Sequence, residues 1–351
     1  MSQISEAAIR SVVAEVVAQL QVKGAAAPDA PTITARPGRH GVFEDASSAA
    51  AAARSGFEQL GKKGWAARAK VAEIVKSMCE DHAERWGTIE FEETKIGRLD
   101  HKIEKLQGIR NVLGTEYLTP TGMSGDSGIT MDEAAPFGVV GSILPVTHSV
   151  PTMAGNIVNM VAAGNAVVFN PHPGGAACAA LAIHEFNEAI KAELGITNLV
   201  TTVEKPSLDS FNELCASDDV DLLCITGGPA VVDAAMKTGK RAICAGPGNP
   251  PVVIDDCNAL DYRKVARDII FGGGYDNNLL CIGEKQVFAV GSAYEKSLAA
   301  FQQEGALLLN SRQVEAIKKE VCQNKPFLIA SQLKNISPLS SPPIWGWAVY
   351  T

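Results

Sequence analysis

The apolar side chains of the first twenty residues follow a helical repeat. They lie three or four positions apart with polar side chains between them, so residues 1–20 are predicted to form an amphipathic helix. Residues 21–40 are rich in Pro and Ala and are predicted to be a linker. Because a linker offers no core, the apolar stripe must be buried on the body of the protein, in a coiled coil, or on a partner protein. The stripe consists of Ile9, Val12, Val13, Val16, Val17 and Leu20.

Alternating strand and helix patterns predict an α/β domain over residues 41–250. A helical pattern extends from residue 46 to about residue 113, and residues 118–132 are predicted to be irregular. Short apolar runs then alternate with helical segments, which is typical of a doubly wound parallel sheet. In such sheets, ligands bind beyond the carboxyl ends of the strands. The predicted strands are 138–144, 166–169, 199–203, 221–225 and 242–244, and the predicted helices between them are 152–163, 175–194, 207–216 and 230–238.

A second strand and helix pattern occupies residues 251–324. It amounts to half of an α/β unit and is too short to close a core of its own, so an incomplete second α/β domain is predicted. Residues 325–351 contain a cluster of Pro and Ser without periodicity and are predicted to be an atypical tail. The predicted strands are 252–254, 284–290 and 306–309, the predicted helices are 261–271, 293–303 and 311–323, and a flexible break is predicted at 272–274.

The composition narrows the class of protein. Of the 351 residues, 46% are hydrophobic and 20% are charged, which excludes a disordered or collagen-like chain. A net charge of −8 without a basic block argues against binding to nucleic acid. The sequence has no apolar stretch long enough to cross a bilayer and no secretory signal, and its eight cysteines lack C-x-x-C spacing. We therefore expect a soluble cytoplasmic protein without a metal site.

Candidate chemistry lies in loops that follow predicted strands. His148 follows strand 138–144, where it is suited to donate a hydrogen bond to a developing oxyanion. The alternative is that His148 caps a helix or packs against its neighbours. Glycine turns follow strands 221–225 and 242–244, and glycine lets a phosphate approach the backbone closely. These turns do not form the G-x-G-x-x-G fingerprint, so the sequence predicts a nucleotide-sized crevice of another kind.

Cys281 differs from the other cysteines in its sequence context. It follows a triple glycine and two asparagines, whereas Cys224 lies inside an apolar run. A nucleophilic cysteine needs partial exposure and nearby donors that stabilise its thiolate. Cys281 is therefore the candidate nucleophile, and a buried, inert thiol is the alternative.

These segments, in this order, resemble the aldehyde dehydrogenase superfamily, and in particular the CoA-acylating propanal and acetaldehyde dehydrogenases of bacterial microcompartments. The resemblance extends from about residue 1 to residue 310. The segments that carry it are Pro145-Val146-Thr147-His148, Ala162-Ala163-Gly164-Asn165-Ala166-Val167-Val168-Phe169, Asn170-Pro171-His172-Pro173, Thr226-Gly227-Gly228, Ala245-Gly246-Pro247-Gly248-Asn249-Pro250 and Asp276-Asn277-Asn278-Leu279-Leu280-Cys281.

The resemblance implies roles for single residues and for the whole chain. Cys281 becomes the nucleophile, and His148 falls where many relatives carry an Asn that contacts the oxyanion. NAD becomes the cofactor and CoA the acyl acceptor of a homo-oligomeric enzyme. Residues 1–20 become a peptide that binds the shell of a bacterial microcompartment and places the enzyme inside it. The implied NAD site is lined by Pro145, Val146, Thr147, Asn170, His172, Gly227, Gly228, Ala245 and Gly246.

The implied reaction begins when the Cys281 thiolate adds to a short aldehyde. Loss of hydride to NAD leaves a thioester on the sulfur. Hydrolytic relatives carry a Glu base where this sequence has Ala245, which cannot activate water. A thiol acceptor, CoA, is therefore expected.

Two alternatives to this function remain. Relatives continue well beyond residue 351 and residues 325–351 do not resemble that continuation, so a truncated chain is expected. Such a chain could be a catalytically silent microcompartment cargo protein that retains NAD binding. A hydrolytic dehydrogenase with Glu284 as its base is the other alternative, although a solvent-facing position at the start of a strand explains Glu284 better.

Overall fold

The computed structural model describes residues 40–246, 248, 250–313 and 348–350. The predictions for the helix 1–20, the linker and nearly all of the tail lie outside these residues. The helices are α1 (Ala46–Asp81), α2 (Ala83–Thr94), α3 (Leu99–Gln107), α4 (Ser149–Ala162), α5 (Ala176–Leu194), α6 (Leu208–Ala216), α7 (Pro229–Lys237), α8 (Tyr262–Gly274) and α9 (Ala293–Gln303). The strands are β1 (Val42–Phe43), β2 (Thr121–Gly125), β3 (Gly128–Asp132), β4 (Val139–Ile143), β5 (Ala166–Asn170), β6 (Val200–Val203), β7 (Leu222–Thr226), β8 (Ala242–Ala245), β9 (Pro251–Ile254), β10 (Gln286–Ala289) and β11 (Ala348–Tyr350).

Helix α1 packs against the central sheet through small residues. It begins after Asp45, whose carboxylate accepts a hydrogen bond from the backbone N–H of Ser48 at 2.7 Å. Gly56 lies so close to the backbone of Asn198 that a Cβ atom would be 2.8 Å from the Asn198 carbonyl carbon. Alanines on the same buried face permit this close approach. The helical pattern predicted from residue 46 onward is confirmed, since α1, α2 and α3 all fall within it.

Six of the described strands form a parallel sheet in the order β1-β6-β5-β4-β7-β8. All five predicted strands of this domain are present: β4, β5 and β6 are buried throughout, as expected of strands covered on both faces, whereas β8 at the edge of the sheet is partly exposed. The chain passes from β4 through β5 to β6 and then returns to β7 on the other side of β4. Such a reversal is the switch point of a doubly wound sheet, and the predicted fold class is confirmed.

Residues 121–132 form an antiparallel hairpin, so the prediction of an irregular stretch was wrong. Strands β2 and β3 pair from Thr121 opposite Asp132 to Gly125 opposite Gly128. Every residue of both strands is exposed. A strand that buries neither face lacks the alternation of buried and exposed positions from which strands are predicted.

Strands β11, β10 and β9 form a parallel sheet in that order among the described residues. Helices α8 and α9 accompany this sheet, and their apolar side chains form a hydrophobic cluster distinct from that of the first sheet. The strand β11 was not predicted, since its residues belong to the tail. The members of the second cluster include Ile254, Ala266, Ile269, Val287, Ala293 and Phe301.

Two local predictions in this region were wrong. Residues 272–274 do not break the chain but continue α8, where Gly272 lies against the carboxylate of Glu284. A Cβ atom at Gly272 would be 2.8 Å from the Glu284 carboxyl carbon, so packing explains this glycine better than flexibility. Residues 306–309 are not a strand, and Leu307 and Leu308 are exposed. Of the predicted helix 311–323, residues 311–313 are described and are helical.

None of the helices in the described part of the chain combines the length and the apolar character that crossing a membrane requires.

Candidate active site

The predicted site segments follow strands that end at one edge of the first sheet. Ile143 at the end of β4 pairs with Asn170 of β5 on one side and with Ile225 of β7 on the other. Thr226 of β7 pairs in turn with Ala245 of β8. Because these strands are parallel and in register, the loops that follow them emerge side by side. The switch point between β4 and β7 lies in the middle of this edge.

The loop after β4 contains Pro145, Val146, Thr147 and His148, all of which are half-buried. The Thr147 hydroxyl lies 3.1 Å from Nδ1 of His148. Burial and, to a smaller extent, the positive charges of Lys105 and Lys102 lower the pKa of His148 to about 4, against the opposing effect of Asp276. The ring is therefore neutral at pH 7 and presents one N–H donor. Within the described residues its side chain makes no hydrogen bond that caps α4, which disfavours the capping role.

The end of β5 places Asn170 and His172 beside this loop, but both side chains have partners. Asn170 is 5% exposed, and its side-chain oxygen accepts a hydrogen bond from the Ser210 hydroxyl at 2.7 Å. Nδ1 of His172 accepts a hydrogen bond from the backbone N–H of Gly174 at 3.0 Å, and burial lowers the pKa of His172. Asn170 thus anchors the end of β5 to helix α6, and its place in the NAD site stays a prediction.

The glycine turns after β7 and β8 are joined by a hydrogen bond, and there is free space beside their backbone. The backbone N–H of Gly227 donates to the carbonyl of Ala245 at 3.1 Å. Gly228 precedes α7, and none of the described atoms lies within 4 Å of the position that a Cβ atom of Gly228 would take. At Gly246 the nearest such atom is 4.0 Å away, on Val232. The backbone of both turns is therefore accessible to a ligand of the size of a phosphate.

Cys281 lies in a turn that follows an unusual backbone segment. Asp276, Asn277 and Asn278 have φ angles of 51°, 59° and 58°, in the left-handed region that Asp and Asn tolerate better than other residues with side chains. Residues in this region cost about 1–3 kcal/mol each, so surrounding contacts must hold the segment. Cys281 itself is a half-buried free thiol.

The turn after β8 contacts the cysteine. A Cβ atom at Gly248 would clash with the carbonyl oxygen of Cys281 and would lie 3.4 Å from the Cys281 Cβ. Glycine at position 248 thus permits the backbone of one loop to rest directly on the other. The structure brings Cys281 to the glycine turn that ends β8, although the two are separated by more than thirty residues in sequence.

Lys285 and Glu284 lie close to the cysteine turn on its other side. The Lys285 ammonium donates to the carbonyl of Leu280 at 2.9 Å and to that of Asn278 at 3.4 Å. Burial lowers the pKa of Lys285, against smaller opposing electrostatic effects of its neighbours in this turn. Glu284 is half-buried, and its carboxylate lies against Gly272.

Four buried charges behind these loops were not predicted from the sequence. Lys102 and Glu90 have no exposed side-chain surface and form an ion pair at 2.9 Å. Lys105 and Asp276 pair at 2.8 Å, with 11% and 0% of their side chains exposed. Lys102 lies one helical turn before the buried Leu106, but a lysine in an amphipathic helix normally belongs to the solvated face, so the sequence offered no usable signal.

Among the described residues, no group of three or more His, Cys, Asp and Glu side chains is arranged to hold a metal ion.

Comparison with known proteins shows a family match. Residues 35–319 match the model of the aldehyde dehydrogenase family. The chain is 37% identical over 286 residues to the acetylating acetaldehyde dehydrogenase EutE of Salmonella typhimurium, covering 81% of this chain and 60% of that protein. It is 35% identical over 306 residues to an acetylating acetaldehyde dehydrogenase of Bilophila wadsworthia, covering 86% of this chain and 62% of that protein. The chain thus spans about 60% of the length of these relatives.

Solved structures agree with the sequence matches. A propionaldehyde dehydrogenase of Rhodopseudomonas palustris, with bound CoA and an acylated cysteine, superimposes with a TM-score of 0.78 at 33% identity, covering 88% of this chain and 73% of that one. A propionaldehyde dehydrogenase from the fucose utilisation microcompartment of Clostridium phytofermentans gives a TM-score of 0.78 at 35% identity, with the same coverage of 88% and 73%.

Proposed function

Because this chain belongs to the aldehyde dehydrogenase family, we propose that it oxidises a short-chain aldehyde to the corresponding acyl-CoA, with NAD as hydride acceptor and Cys281 as nucleophile. The observation that carries the proposal is the contact between the two loops: half-buried Cys281 rests against Gly248, in the turn that ends β8 at the carboxyl edge of the sheet. That edge is where an open α/β sheet binds its ligand.

The residues of this edge fit a dinucleotide. The turns at Gly228 and Gly246 have no side chain and leave open space within the described part of the chain, so a pyrophosphate can approach the backbone. When bound, NAD supplies an acceptor for the aldehyde hydride. Pro145, Val146 and Thr147 are half-buried at the neighbouring strand end, where they are suited to line the same crevice.

The chemistry of the chain begins at the sulfur. The Cys281 thiolate adds to the aldehyde carbonyl, forming a C–S bond and placing the negative charge on the former carbonyl oxygen. The backbone N–H of Cys281 and the neutral ring of His148 are the donors assigned to that oxygen. Collapse of the adduct releases hydride and leaves an acyl thioester on Cys281. The thiol of CoA loses its proton to solvent, and attack by the resulting thiolate transfers the acyl group to CoA and returns the Cys281 thiolate.

The choice of acyl acceptor follows from Ala245. This residue is exposed at the end of β8 and has no group that can accept a proton from water. The pKa of water is about 15.7 and that of a free thiol about 8.5. Ionising a thiol is then easier by about 10 kcal/mol. Ala245 at the position of the base therefore favours CoA, in agreement with the CoA and the acylated cysteine in the structure from Rhodopseudomonas palustris.

The proposal extends to the surroundings of the enzyme. The amphipathic pattern of residues 1–20 and the microcompartment origin of the relative from Clostridium phytofermentans support delivery of the enzyme to a microcompartment shell. The proposed partner of residues 1–20 is a shell protein, and the enzyme acts inside the compartment as a homo-oligomer. The division into residues 41–250 and 251–324 is proposed as the division into a cofactor domain and a catalytic domain.

The proposed reaction is tested with propanal, NAD and CoA. We expect NADH and propanoyl-CoA in equal amounts, and, when CoA is omitted, a propanoyl adduct on Cys281 detected by peptide mass spectrometry. Cys281→Ala should abolish both products. Cys257→Ala, which removes another half-buried free thiol, should leave them unchanged.

Two outcomes would contradict the proposal in different ways. Equal NADH formation without CoA, with propanoate as product, would make the enzyme hydrolytic. Binding of NAD without NADH formation and without an adduct would favour the catalytically silent cargo protein.

A further inference from the structure

The loop that carries His148 and the loop that carries Cys281 are joined by one ammonium group. Lys105 donates to the carboxylate of Asp276 at 2.8 Å and to the carbonyl of Thr147 at 3.4 Å. Thr147 directly precedes His148, and Asp276 begins the left-handed segment that leads to Cys281. The two acceptors are therefore parts of the two segments that must face the same substrate carbon.

The loop after β4 is held on both sides of His148. Lys102 donates to the same Thr147 carbonyl at 2.5 Å and pairs with Glu90. Glu90 in turn accepts a hydrogen bond from the backbone N–H of Ser149 at 2.9 Å. Because Glu90 and Lys102 have no exposed side-chain surface, these contacts do not compete with water.

The cysteine segment is held through Asp276. Its carboxylate also accepts a hydrogen bond from the backbone N–H of Arg98 at 2.9 Å, and its own backbone N–H donates to Nδ1 of His101 at 2.8 Å. Gly97 permits this approach, since its φ is +79° and a Cβ atom there would be 2.7 Å from Oδ2 of Asp276. The start of α3 thus fixes a backbone segment that would otherwise be strained.

We propose that Lys105 is a positioning residue that sets the location of His148 relative to Cys281 by binding Thr147 and Asp276 at once. This inference rests on the function proposed above and deepens it. A donor to the oxyanion must be placed within about 0.5 Å of its productive position, and a displacement of about 1 Å lowers the rate by about 100-fold. A buried link between the two loops supplies that accuracy.

The test separates positioning from the neutralisation of a buried charge. Lys105→Met should lower kcat for propanal about 10- to 100-fold with KM values within threefold of the wild type. It should also lower the thermal midpoint, because the Asp276 carboxylate is left unpaired. The double variant Lys105→Met/Asp276→Asn removes that charge and should regain the midpoint while kcat stays low. Lys264→Met, which removes an exposed lysine paired with Asp268, is the control and should change neither quantity.

Recovery of kcat together with the midpoint in the double variant would overturn the proposal, as would a kcat of Lys105→Met within twofold of the wild type. If the double variant does not regain the thermal midpoint, the conservative variant Lys105→Arg is measured instead. A kcat of Lys105→Arg at least threefold above that of Lys105→Met then supports positioning, and an equal kcat contradicts it.

A second measurement keeps this proposal distinct from the proposed reaction. The rate at which iodoacetamide alkylates Cys281 is followed by peptide mass spectrometry and requires no turnover. Should the wild-type chain fail to oxidise propanal, an alkylation rate at least threefold faster in the double variant would still support positioning of the cysteine loop by Lys105. An unchanged rate would overturn it.

Discussion

The protonation state of His148 is determined by its surroundings more than by its own chemistry. Burial removes the hydration that an imidazolium requires, and the ammonium groups of Lys105 and Lys102 oppose a further positive charge nearby. The negative charge of Asp276 raises the pKa of His148, but this effect is smaller than the sum of the effects that lower it. A neutral ring beside two buried lysines is suited to donate a hydrogen bond without taking part in proton exchange at neutral pH.

This shift predicts a specific dependence of stability on pH. The pKa of His148 is lowered to about 4 in the folded protein from an ordinary value near 6.5, so between these values the unfolded state binds more protons. Folding stability should therefore decrease as the pH falls from 6.5 to 4. His148→Asn should remove up to about 3 kcal/mol of that decrease. Urea unfolding of both proteins at several pH values measures this effect, and parallel curves for the two proteins would contradict the assignment.

At the scale of elements, Glu90 joins α2 to the beginning of α4. Its carboxylate accepts hydrogen bonds from the backbone N–H groups of Ser149 at 2.9 Å and Val150 at 3.4 Å while it pairs with Lys102. A negative charge at a helix N-terminus is favourable, and this one satisfies backbone donors that would otherwise be buried without partners. Helix α4 therefore depends on a side chain that lies about sixty positions earlier in the chain.

We expect Glu90→Gln to destabilise the protein by about 3–5 kcal/mol, because the buried ammonium of Lys102 loses its counter-ion. The free energy of unfolding in urea measures the change. Glu92→Gln serves as the matched control, since Glu92 is exposed on the same helix and should change the free energy by less than about 0.5 kcal/mol. A loss similar to that of the control would mean that the ion pair is solvated.

At the scale of the whole molecule, separate hydrophobic clusters support the two parallel sheets of the described residues. The candidate nucleophile follows α8, next to the second sheet, whereas His148 and the glycine turns belong to the first. The proposed chemistry at Cys281 therefore depends on contacts between these parts, among them the contact at Gly248 and the pair between Lys105 and Asp276.

The N-terminal segment is expected to act independently of this site. Deletion of residues 1–20 should leave NADH formation within twofold of the full chain and should abolish co-purification with a co-expressed microcompartment shell. Val13→Glu, which places a charge in the apolar stripe, should also abolish co-purification with the shell and leave NADH formation unchanged. Glu15→Gln on the polar face should leave co-purification unchanged. Retention of the deleted protein in shells would exclude delivery by this segment.

The order of strands and helices could be predicted from the sequence because hydrophobic periodicity is a local property. The strands β4, β5 and β6 are buried throughout, and β7 and β8 stand out as apolar runs, so each was located to within one or two residues. The exposed hairpin of β2 and β3 buries neither face and was missed. Family resemblance added the expected roles of Cys281 and His148, since their motifs follow predicted strands in a characteristic order.

The sequence by itself determined the parallel α/β fold and the loops that end at its carboxyl edge, because each strand and each glycine turn follows from neighbouring residues. Only the tertiary structure decided that Glu90, Lys102, Lys105 and Asp276 are buried together, and that Gly248 rests on Cys281. The physical reason is that a charged side chain can be buried only when its partner arrives from another part of the chain. Here one partner of the pair with Asp276 comes from α3, more than 170 positions earlier.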